Sequence, residues 1–93
     1  MILSFKDRDT ELLANGIRVS SFVAFESVAR RKLRQLEVAL SINDLRIPPG
    51  NRLEAMEGDR KGQHSIRIND QYRVCFKWTR AGAEEVEIVD YHD

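Results

Sequence analysis

The sequence of 93 residues has little cysteine, little proline and no long apolar run. Its single cysteine, Cys75, cannot form a disulfide within the chain, and the two histidines do not give the spacing of a zinc site, so we expect no metal and no cofactor. The longest apolar run, residues 22–25, is far shorter than the roughly 20 residues that a membrane span needs. Residues 1–5 lead into a charged stretch rather than a signal core. These absences favour a cytoplasmic protein with no membrane contact.

The chain also has no surplus of either charge, since 15 Lys and Arg residues balance 15 Asp and Glu residues. The charges are nevertheless segregated: residues 30–80 hold twelve basic and six acidic residues, a net of +6, and residues 84–93 carry −5. Because a binding field depends on where charge lies, the middle of the chain could meet phosphate groups. An ordinary solvated charged surface is the alternative.

Helical signals occupy the first half of a chain that is long enough for one domain, residues 1–93. A strand is predicted at Ile2–Phe5, and a short helix follows, capped by Asp7 or Asp9 and ended by Asn15-Gly16. Apolar residues at helical spacing predict a longer helix over 22–41, capped by Ser20 or Ser21. Its apolar stripe consists of Phe25, Ala29, Leu33, Leu36 and Leu40, and its basic outer face of Arg30, Arg31, Lys32 and Arg34 beside Glu26.

After Pro48-Pro49-Gly50-Asn51 the apolar period changes to two, which predicts strands near residues 65–69, 72–79 and 85–89. The predicted fold is α+β: two N-terminal helices packed on one face of an antiparallel sheet of four to five strands. Three-residue turns bring all apolar side chains to one face; they pair Asn69 with Arg73, Ile68 with Val74, Phe76 with Val86, and Lys77 with Glu85.

This register leaves Arg67, Arg73 and Tyr91 on the face away from the helices. An arginine in the middle of a strand fits a planar anion such as phosphate, and the alternative is a cross-strand ion pair of Arg73 or Arg67 with Glu87. His92 could transfer a proton near neutral pH, with Asp90 to orient it and the Tyr91 ring to stack on a base. Strict alternation turns Asp90 and His92 away from Tyr91, so the three cooperate only if the strand ends or twists near Val89.

Four further side chains have plainer interpretations. His64 is in phase with the apolar residues of its strand and is expected at the rim of the core. Phe76 and Trp78 are expected in the core. Cys75 has no histidine beside it, so we do not expect a thiol nucleophile.

The residues from Arg52 to Trp78, followed by Val86 to His92, resemble the HigB toxins of the RelE/ParE superfamily. The combination of Gly58-Asp59-Arg60-Lys61-Gly62, residues 65–73 and Asp90-Tyr91-His92 carries the resemblance, which extends in order over nearly the whole chain. It implies two helices against an antiparallel sheet, and the toxin of a type II toxin-antitoxin system. Such a toxin is a ribosome-dependent, metal-independent endonuclease that cuts mRNA in the ribosomal A site. Its partner is a HigA-type helix-turn-helix antitoxin, through which alone it meets operator DNA.

The resemblance also implies roles for individual residues. Arg73 would neutralise the phosphate, His92 and Asp90 would supply or orient the acid and base, and Tyr91 would position the nucleotide. Glu54 stands where some family members have a histidine and is a candidate base. Arg67 is added as a second phosphate contact, and the expected ribosomal RNA contacts are Arg30, Arg31, Lys32, Arg34, Arg60 and Lys61. The alternatives are a non-enzymatic, ParE-like inhibitor of DNA gyrase, and a degenerate toxin that acts only as co-repressor with its antitoxin.

Overall fold

The computed structural model describes residues 1–91 and shows two α-helices followed by a four-stranded antiparallel sheet. This arrangement confirms the predicted α+β fold. No helix in the described part of the chain is long and apolar enough to cross a membrane. The elements are α1 (Arg8–Ala14), α2 (Glu26–Val38), β1 (Glu54–Ala55), β2 (His64–Arg67), β3 (Tyr72–Thr79) and β4 (Gly82–Asp90), with the strands in sequential order, and 3-10 helices at Ser20–Phe25, Ile42–Arg46, Pro49–Asn51 and Gly58–Arg60.

Helix α1 begins and ends as the sequence predicts. Asp7 is the N-cap, and its carboxylate accepts hydrogen bonds from the amide (3.0 Å) and hydroxyl (2.7 Å) of Thr10. Asn15 is the C-cap of α1, and the next residue, Gly16, has a left-handed backbone with a φ of +87°, which ends the helix. The Thr10 hydroxyl in turn accepts a hydrogen bond from the amide of Ile88 (3.0 Å), so the helix cap also fixes α1 against β4.

Helix α2 begins later than predicted. The chain first forms the 3-10 helix Ser20–Phe25, which has Val19 at its N-cap and no capping side chain, so the predicted Ser20 or Ser21 cap is wrong. This segment still buries Phe22, whose ring lies 5.8 Å from that of Phe25. The tighter helix therefore packs aromatic side chains without extending α2.

Helix α2 also ends earlier than predicted, so that the apolar stripe is buried at Ala29, Leu33 and Leu36 but not at Leu40, which is 94% exposed. The reason is a second cap. The carboxylate of Asp44 accepts hydrogen bonds from the amides of Leu40 (2.9 Å) and Ser41 (3.1 Å) and starts the 3-10 helix Ile42–Arg46. That helix buries Leu45 completely, while Leu40 lies beyond the end of α2.

The first hairpin pairs Arg67 with Arg73, not Asn69 with Arg73 as predicted. The predicted register is wrong by two residues. Asn69 lies inside the turn because its side-chain oxygen accepts hydrogen bonds from the amides of Gln71 and Tyr72, each 2.8 Å long. Since strand side chains alternate with a period of two, the shift leaves every residue on its predicted face.

The second hairpin has a two-residue turn, with Thr79 opposite Gly82, so the predicted three-residue turn is wrong. The turn is one residue shorter than predicted, and β4 contains one extra residue instead. This extra residue forms a β-bulge at Glu85, which has a φ of +52°. Beyond the bulge the strands have the predicted register. Lys77 consequently faces Glu84, although its ammonium lies 2.8 Å from the carboxylate of Glu85, as the predicted charge pair requires.

Residues 1–6, which we call the N-terminal segment, run parallel to β4. Isolated bridges join Ile2 to Ala83 and Phe5 to Val86, where the sequence predicts a short strand. The segment approaches closely at Gly82: a Cβ there would lie 2.2 Å from the carbonyl oxygen of Met1. Glycine at this position is therefore required for the segment to pack against β4.

The main core lies between the helices and one face of the sheet. Phe76 is fully buried there, as predicted, and Trp78 packs edge-on against it with ring centroids 6.4 Å apart. The other face is partly covered as well: Ser65, Cys75 and Met56 are buried but lie outside the main cluster. We call this second face, which carries Arg67, Arg73 and Tyr91, the open face. The main cluster consists of Leu13, Val19, Phe22, Ala29, Leu33, Leu36, Ala39, Leu45, Ile66, Ile68, Val74, Phe76, Ala83 and Val86.

Candidate active site

A polar cavity of about 180 Å³ opens on the open face, where β2, β3 and the end of β4 meet. The register places Arg67 and Arg73 directly opposite each other, and the end of β4 adds Tyr91. The structure thus brings together three of the predicted site residues. The cavity is lined by Arg52, Arg67, Asn69, Asp70, Arg73 and Tyr91.

Arg73 is the most firmly held cation in the cavity, with only 13% of its side chain exposed. Its Nη1 donates hydrogen bonds to the hydroxyl of Ser65 (2.8 Å) and to the carbonyl of Arg52 (3.3 Å). The guanidinium carbon lies 6.0 Å from the centre of the Tyr91 ring. Two neutral acceptors therefore fix the orientation of the guanidinium.

Glu54 lies at the edge of this arrangement, on the short strand β1 opposite Ser65. One of its carboxylate oxygens is 3.9 Å from Nη2 of Arg73, and its side chain is 46% exposed. A carboxylate this close to the guanidinium and open to solvent can accept a proton from a bound ligand.

Arg67 contacts Asp70 across the turn, but Asp70 is fully exposed, so this pair is weakened by solvent. The alternative ion pair of Arg67 or Arg73 with Glu87 is wrong. Glu87 accepts from Arg60 at 2.8 Å and lies 3.7 Å from the ammonium of Lys6. The two opposed arginines therefore have no well-shielded carboxylate between them among residues 1–91.

Three lining residues, Arg52, Asn69 and Asp70, are missed by the sequence analysis. Arg52 follows the 3-10 helix Pro49–Asn51 in a left-handed conformation, with a φ of +46°, and its side chain is exposed. Asn69 belongs to the turn that sets the first hairpin. The signal for Arg52 was available: a basic residue directly after Pro48-Pro49-Gly50-Asn51, at a turn that redirects the chain.

Asp90 is the last residue of β4 and lies opposite Tyr72, a register that gives it the other face from Tyr91. Its carboxylate accepts a hydrogen bond from the side chain of Gln71 (3.0 Å), and the Tyr91 amide donates to the Gln71 carbonyl (2.7 Å). The strand ends at Asp90, one residue beyond Val89. The predicted cooperation of Asp90, Tyr91 and His92 requires the strand to end or twist near Val89. His92 lies outside the described residues.

The basic residues predicted to contact ribosomal RNA do not form one uniform surface. Arg31, Arg34 and Lys61 are exposed. Arg30 is held by Glu26 at 3.1 Å, and Arg60 by Glu87, whose hydrogen bond raises the pKa of Arg60.

Lys32 does not lie on the basic outer face, so its predicted placement is wrong: it is only 8% exposed and donates a hydrogen bond to Oδ1 of Asn51 (2.5 Å). Burial, together with the charges of Arg31 and Arg67, lowers the pKa of Lys32. It takes part in a buried polar network instead of a docking surface.

Cys75 and His64, the remaining candidates for a nucleophile and a metal ligand, do not line the cavity. Burial raises the pKa of the Cys75 thiol, which disfavours the reactive thiolate. His64 stacks near Phe76 with ring centroids 6.4 Å apart, and within residues 1–91 its Nδ1 is buried without a hydrogen-bond partner. No group of three or more potential metal ligands occurs in the described part of the chain.

Comparison with known proteins identifies the family of this chain. Residues 5–92 match the family described as RelE-like toxin of type II toxin-antitoxin system HigB. The chain is similar to Toxin HigB-1 of Vibrio cholerae serotype O1, 44% identical over 80 residues that cover 84% of each chain. It is also similar to Endoribonuclease HigB of Proteus vulgaris, 32% identical over 98 aligned positions that cover 99% of this chain and 100% of that protein. The chain therefore belongs to the HigB-like toxins of type II toxin-antitoxin systems, a family whose members act with an antitoxin partner.

Proposed function

We propose that this toxin is a ribosome-dependent endoribonuclease that cuts mRNA in the A site and so stops translation. The Proteus vulgaris relative is named an endoribonuclease, which supports RNA as the substrate. The observation that carries the proposal is the direct opposition of Arg67 and Arg73 across β2 and β3. Like charges opposite each other destabilise a sheet, and a phosphodiester bound between the two guanidinium groups offsets that repulsion.

In the proposed reaction the ribose 2′-oxygen attacks the adjacent phosphorus and the bond from phosphorus to the 5′-oxygen breaks. A base takes the 2′-proton and an acid protonates the leaving 5′-oxygen, which gives a cyclic phosphate and a 5′-hydroxyl. Arg73 is the principal cation for the charge that grows on the phosphate, and Arg67 is the second.

Tyr91 positions the nucleotide, because its ring lines the cavity with its centre 6.0 Å from the guanidinium carbon of Arg73. The proton-transfer groups are Glu54, Asp90 and His92. Glu54 has the position of a base, with its carboxylate 3.9 Å from Arg73. His92, which follows Tyr91 in the sequence, and Asp90, which lies on the other face of β4 and is held by Gln71, supply or orient the acid and base.

The ribosome provides the docking surface and the message. The exposed cations Arg31, Arg34 and Lys61 contact phosphates of ribosomal RNA. Arg30 and Arg60 contribute less, because each is already paired with a carboxylate, that of Glu26 and that of Glu87. Binding should therefore weaken steeply with salt. A HigA-type helix-turn-helix antitoxin is the proposed inhibitor, and operator DNA is reached only through it.

The test is 5′-end mapping of a defined message on purified translating ribosomes. We expect wild-type toxin to give discrete cuts within the A-site codon, and Arg73→Ala to lower the cleavage rate about 100-fold or more. Arg80→Ala is the matched control, because Arg80 is an exposed arginine in the turn at the far end of β3 and should leave the rate unchanged.

Three results would contradict the proposal. Equal cleavage without ribosomes would remove the ribosome dependence. An intact message combined with gyrase-dependent cleavage of plasmid would indicate a ParE-like gyrase inhibitor. An intact message and normal growth when the toxin is expressed alone would indicate a degenerate toxin that acts as co-repressor.

A further inference from the structure

Arg52 lines the polar cavity of the candidate active site, although the proposed reaction gives it no role. It shares the lining with Arg67 and Arg73, while its own side chain is exposed and forms no ion pair within residues 1–91. The described structure therefore places a third guanidinium group beside the two that oppose each other across β2 and β3. A reaction at one phosphate accounts for two of these cations and leaves Arg52 unexplained.

The main chain of Arg52 is held in place by hydrogen bonds on both sides. The residue before it, Asn51, is fully buried, and its side-chain nitrogen donates to the carbonyl of Leu45 (3.1 Å). The amide of Arg52 donates to the carbonyl of Pro49 (3.1 Å), and its carbonyl accepts from Nη1 of Arg73 (3.3 Å). The side chain of Arg52 therefore starts from a fixed point next to the guanidinium group of Arg73.

The backbone conformation of Arg52 is one that arginine adopts at a cost. Its φ of +46° and ψ of +54° are left-handed, and glycine is the residue that ordinarily occupies such a position at the end of a helix. The side chain gives little packing in return, because it is exposed. A ligand of the guanidinium group therefore explains this arginine better than the stability of the fold does.

The charge of the cavity exceeds what one phosphodiester group neutralises. Its lining contains three arginines and one acid, Asp70, which gives a net charge of +2. Each phosphodiester group carries one negative charge, so two phosphates are needed for balance. Glu54 lies outside the lining and becomes neutral when it takes the 2′-proton in the proposed reaction.

The size of the cavity favours the backbone of a strand over a complete small molecule. Its volume of about 180 Å³ lies below the range of about 300–1,000 Å³ that is typical of small-molecule sites. Apart from the Tyr91 ring, the lining consists of charged and amide side chains. Phosphate and ribose groups of a single RNA strand fit such a surface.

The order of the strands indicates which neighbouring phosphate Arg52 can reach. Glu54, the proposed base, follows Arg52 by two residues and lies on β1, whereas Asp90 and Tyr91 lie at the end of β4, on the other side of the strand order. Because the base must meet the 2′-oxygen, the nucleotide that supplies this oxygen lies toward β1. The phosphate on the 5′ side of that nucleotide then lies nearest Arg52.

We propose that Arg52 binds the phosphate on the 5′ side of the attacked nucleotide, so that the cavity recognises two consecutive phosphates of one RNA strand. The scissile phosphate lies between Arg67 and Arg73, and the guanidinium group of Arg52 donates to its neighbour. The ribose between the two phosphates is thereby held at both ends, which aligns its 2′-oxygen with the phosphorus that it attacks. The identity of the scissile phosphate rests on the proposed function.

The test is single-turnover cleavage on ribosomes programmed with synthetic messages. One message carries a neutral methylphosphonate in place of the phosphate on the 5′ side of the attacked nucleotide, and a second carries it one phosphate to the 3′ side of the cut. In both, the nucleotide before the methylphosphonate has a 2′-methoxy group for chemical stability, and reference messages carry the methoxy groups alone. We expect Arg52→Gly to lower the rate about tenfold on the reference messages and on the 3′ message, but less than about twofold on the 5′ message.

Glycine is the informative substitution because it fits the left-handed backbone of Arg52. Relief of the strain offsets the added freedom of the unfolded chain, so the thermal midpoint of Arg52→Gly should stay close to that of the wild type. Arg80→Gly is the matched control, since it removes an exposed arginine at the far end of β3 and should leave the rate unchanged on every message.

Three outcomes on the ribosome would overturn the proposal. Arg52→Gly could cut the reference messages as fast as the wild type does. It could lose the same factor on all messages, which would show that Arg52 does not act through a phosphate charge. Its defect could disappear on the 3′ message instead of the 5′ message, which would refute the assignment to the 5′ phosphate.

A binding measurement separates this inference from the proposed function. If wild-type toxin leaves every message intact, the proposed nuclease fails, and NMR titration with 2′-methoxy oligonucleotides decides about Arg52. A trinucleotide with two phosphodiester groups should bind at least about fivefold more tightly than a dinucleotide with one, and Arg52→Gly should remove this difference. That result would support the site for two phosphates, whereas equal affinities in the wild type, or no binding of either oligonucleotide, would overturn it.

Discussion

The substitution Asn51→Ala should be among the most destabilising changes of a polar residue in this chain. Asn51 is fully buried, and its Oδ1 accepts a hydrogen bond from the buried ammonium of Lys32 (2.5 Å). Its amide nitrogen donates to the side-chain oxygen of Gln35 (2.9 Å) and to the carbonyl of Leu45 (3.1 Å). Alanine removes these hydrogen bonds, together with a longer one to the carbonyl of Ile47 (3.5 Å), and leaves a charge buried without its partner.

The magnitude follows from these contacts. A hydrogen bond to a charged group contributes about 1.5–3 kcal/mol and a neutral one about 1 kcal/mol, so the free energy of unfolding should fall by about 4 kcal/mol. For a domain of this size that is a large part of the total stability. Urea unfolding followed by the fluorescence of Trp78, the only tryptophan, should show the midpoint shifted by roughly 2 M. Asn43→Ala is the control: Asn43 accepts a hydrogen bond from Arg46 at the surface, and its loss should change stability by less than about 0.5 kcal/mol.

The pH dependence gives a second, independent check. Burial lowers the pKa of Lys32 below its ordinary value of 10.5, so the unfolded chain binds this proton more tightly than the folded chain does. The contribution of this group to the free energy of unfolding therefore rises with pH between the lowered pKa and 10.5. Asn51→Ala should lower this pKa further, so the variant should lose less stability at about pH 10 than at pH 7. A loss below about 1 kcal/mol, the same at both pH values, would show that Lys32 is not buried against Asn51 and would refute the reasoning.

Three further outcomes are expected. Gly82→Ala should destabilise the protein by several kcal/mol in urea unfolding, because its Cβ would meet the Met1 carbonyl at a φ of +145°, whereas Gly50→Ala, with open space around it, should lie within about 1 kcal/mol of the wild type. Leu36→Ala should cost about 2–5 kcal/mol and Leu40→Ala less than about 0.5 kcal/mol in the same assay; similar losses would mean that the predicted helix over 22–41 is right after all. The Cys75 thiol should resist iodoacetamide at pH 8 until urea unfolds the chain, and rapid labelling of the native protein would contradict its burial.

Periodicity was sufficient for the fold class and for the faces of the strands, but not for the ends of elements. Leu40 continues the apolar stripe of α2 in phase, so the stripe alone cannot reveal that Asp44 caps a new helix first. The pair Ser41 and Asp44 has the spacing of a capping box and was a usable signal. Lys32 was also readable: it lies three residues after Ala29 and four before Leu36, and that spacing places it alongside the buried stripe.

The candidate site was predicted in its strand residues and missed in its turn residues. Alternation alone put Arg67 and Arg73 on one face, and an error of two residues in register could not change that. The contribution of Arg52 depends on a left-handed backbone at the end of a 3-10 helix, and that of Asn69 on an Asx turn. Such positions depend on local hydrogen bonds that no apolar pattern records.

The pairing of the N-terminal segment with β4 bears on how the protein is made. The amide of Glu85 donates a hydrogen bond to the hydroxyl of Ser4, 81 positions earlier in the chain. During synthesis the first residues therefore emerge long before the strand that holds them, and their part of the sheet forms only after β4 has left the ribosome. A nascent toxin would thus acquire its complete structure only after translation of its own message has passed β4.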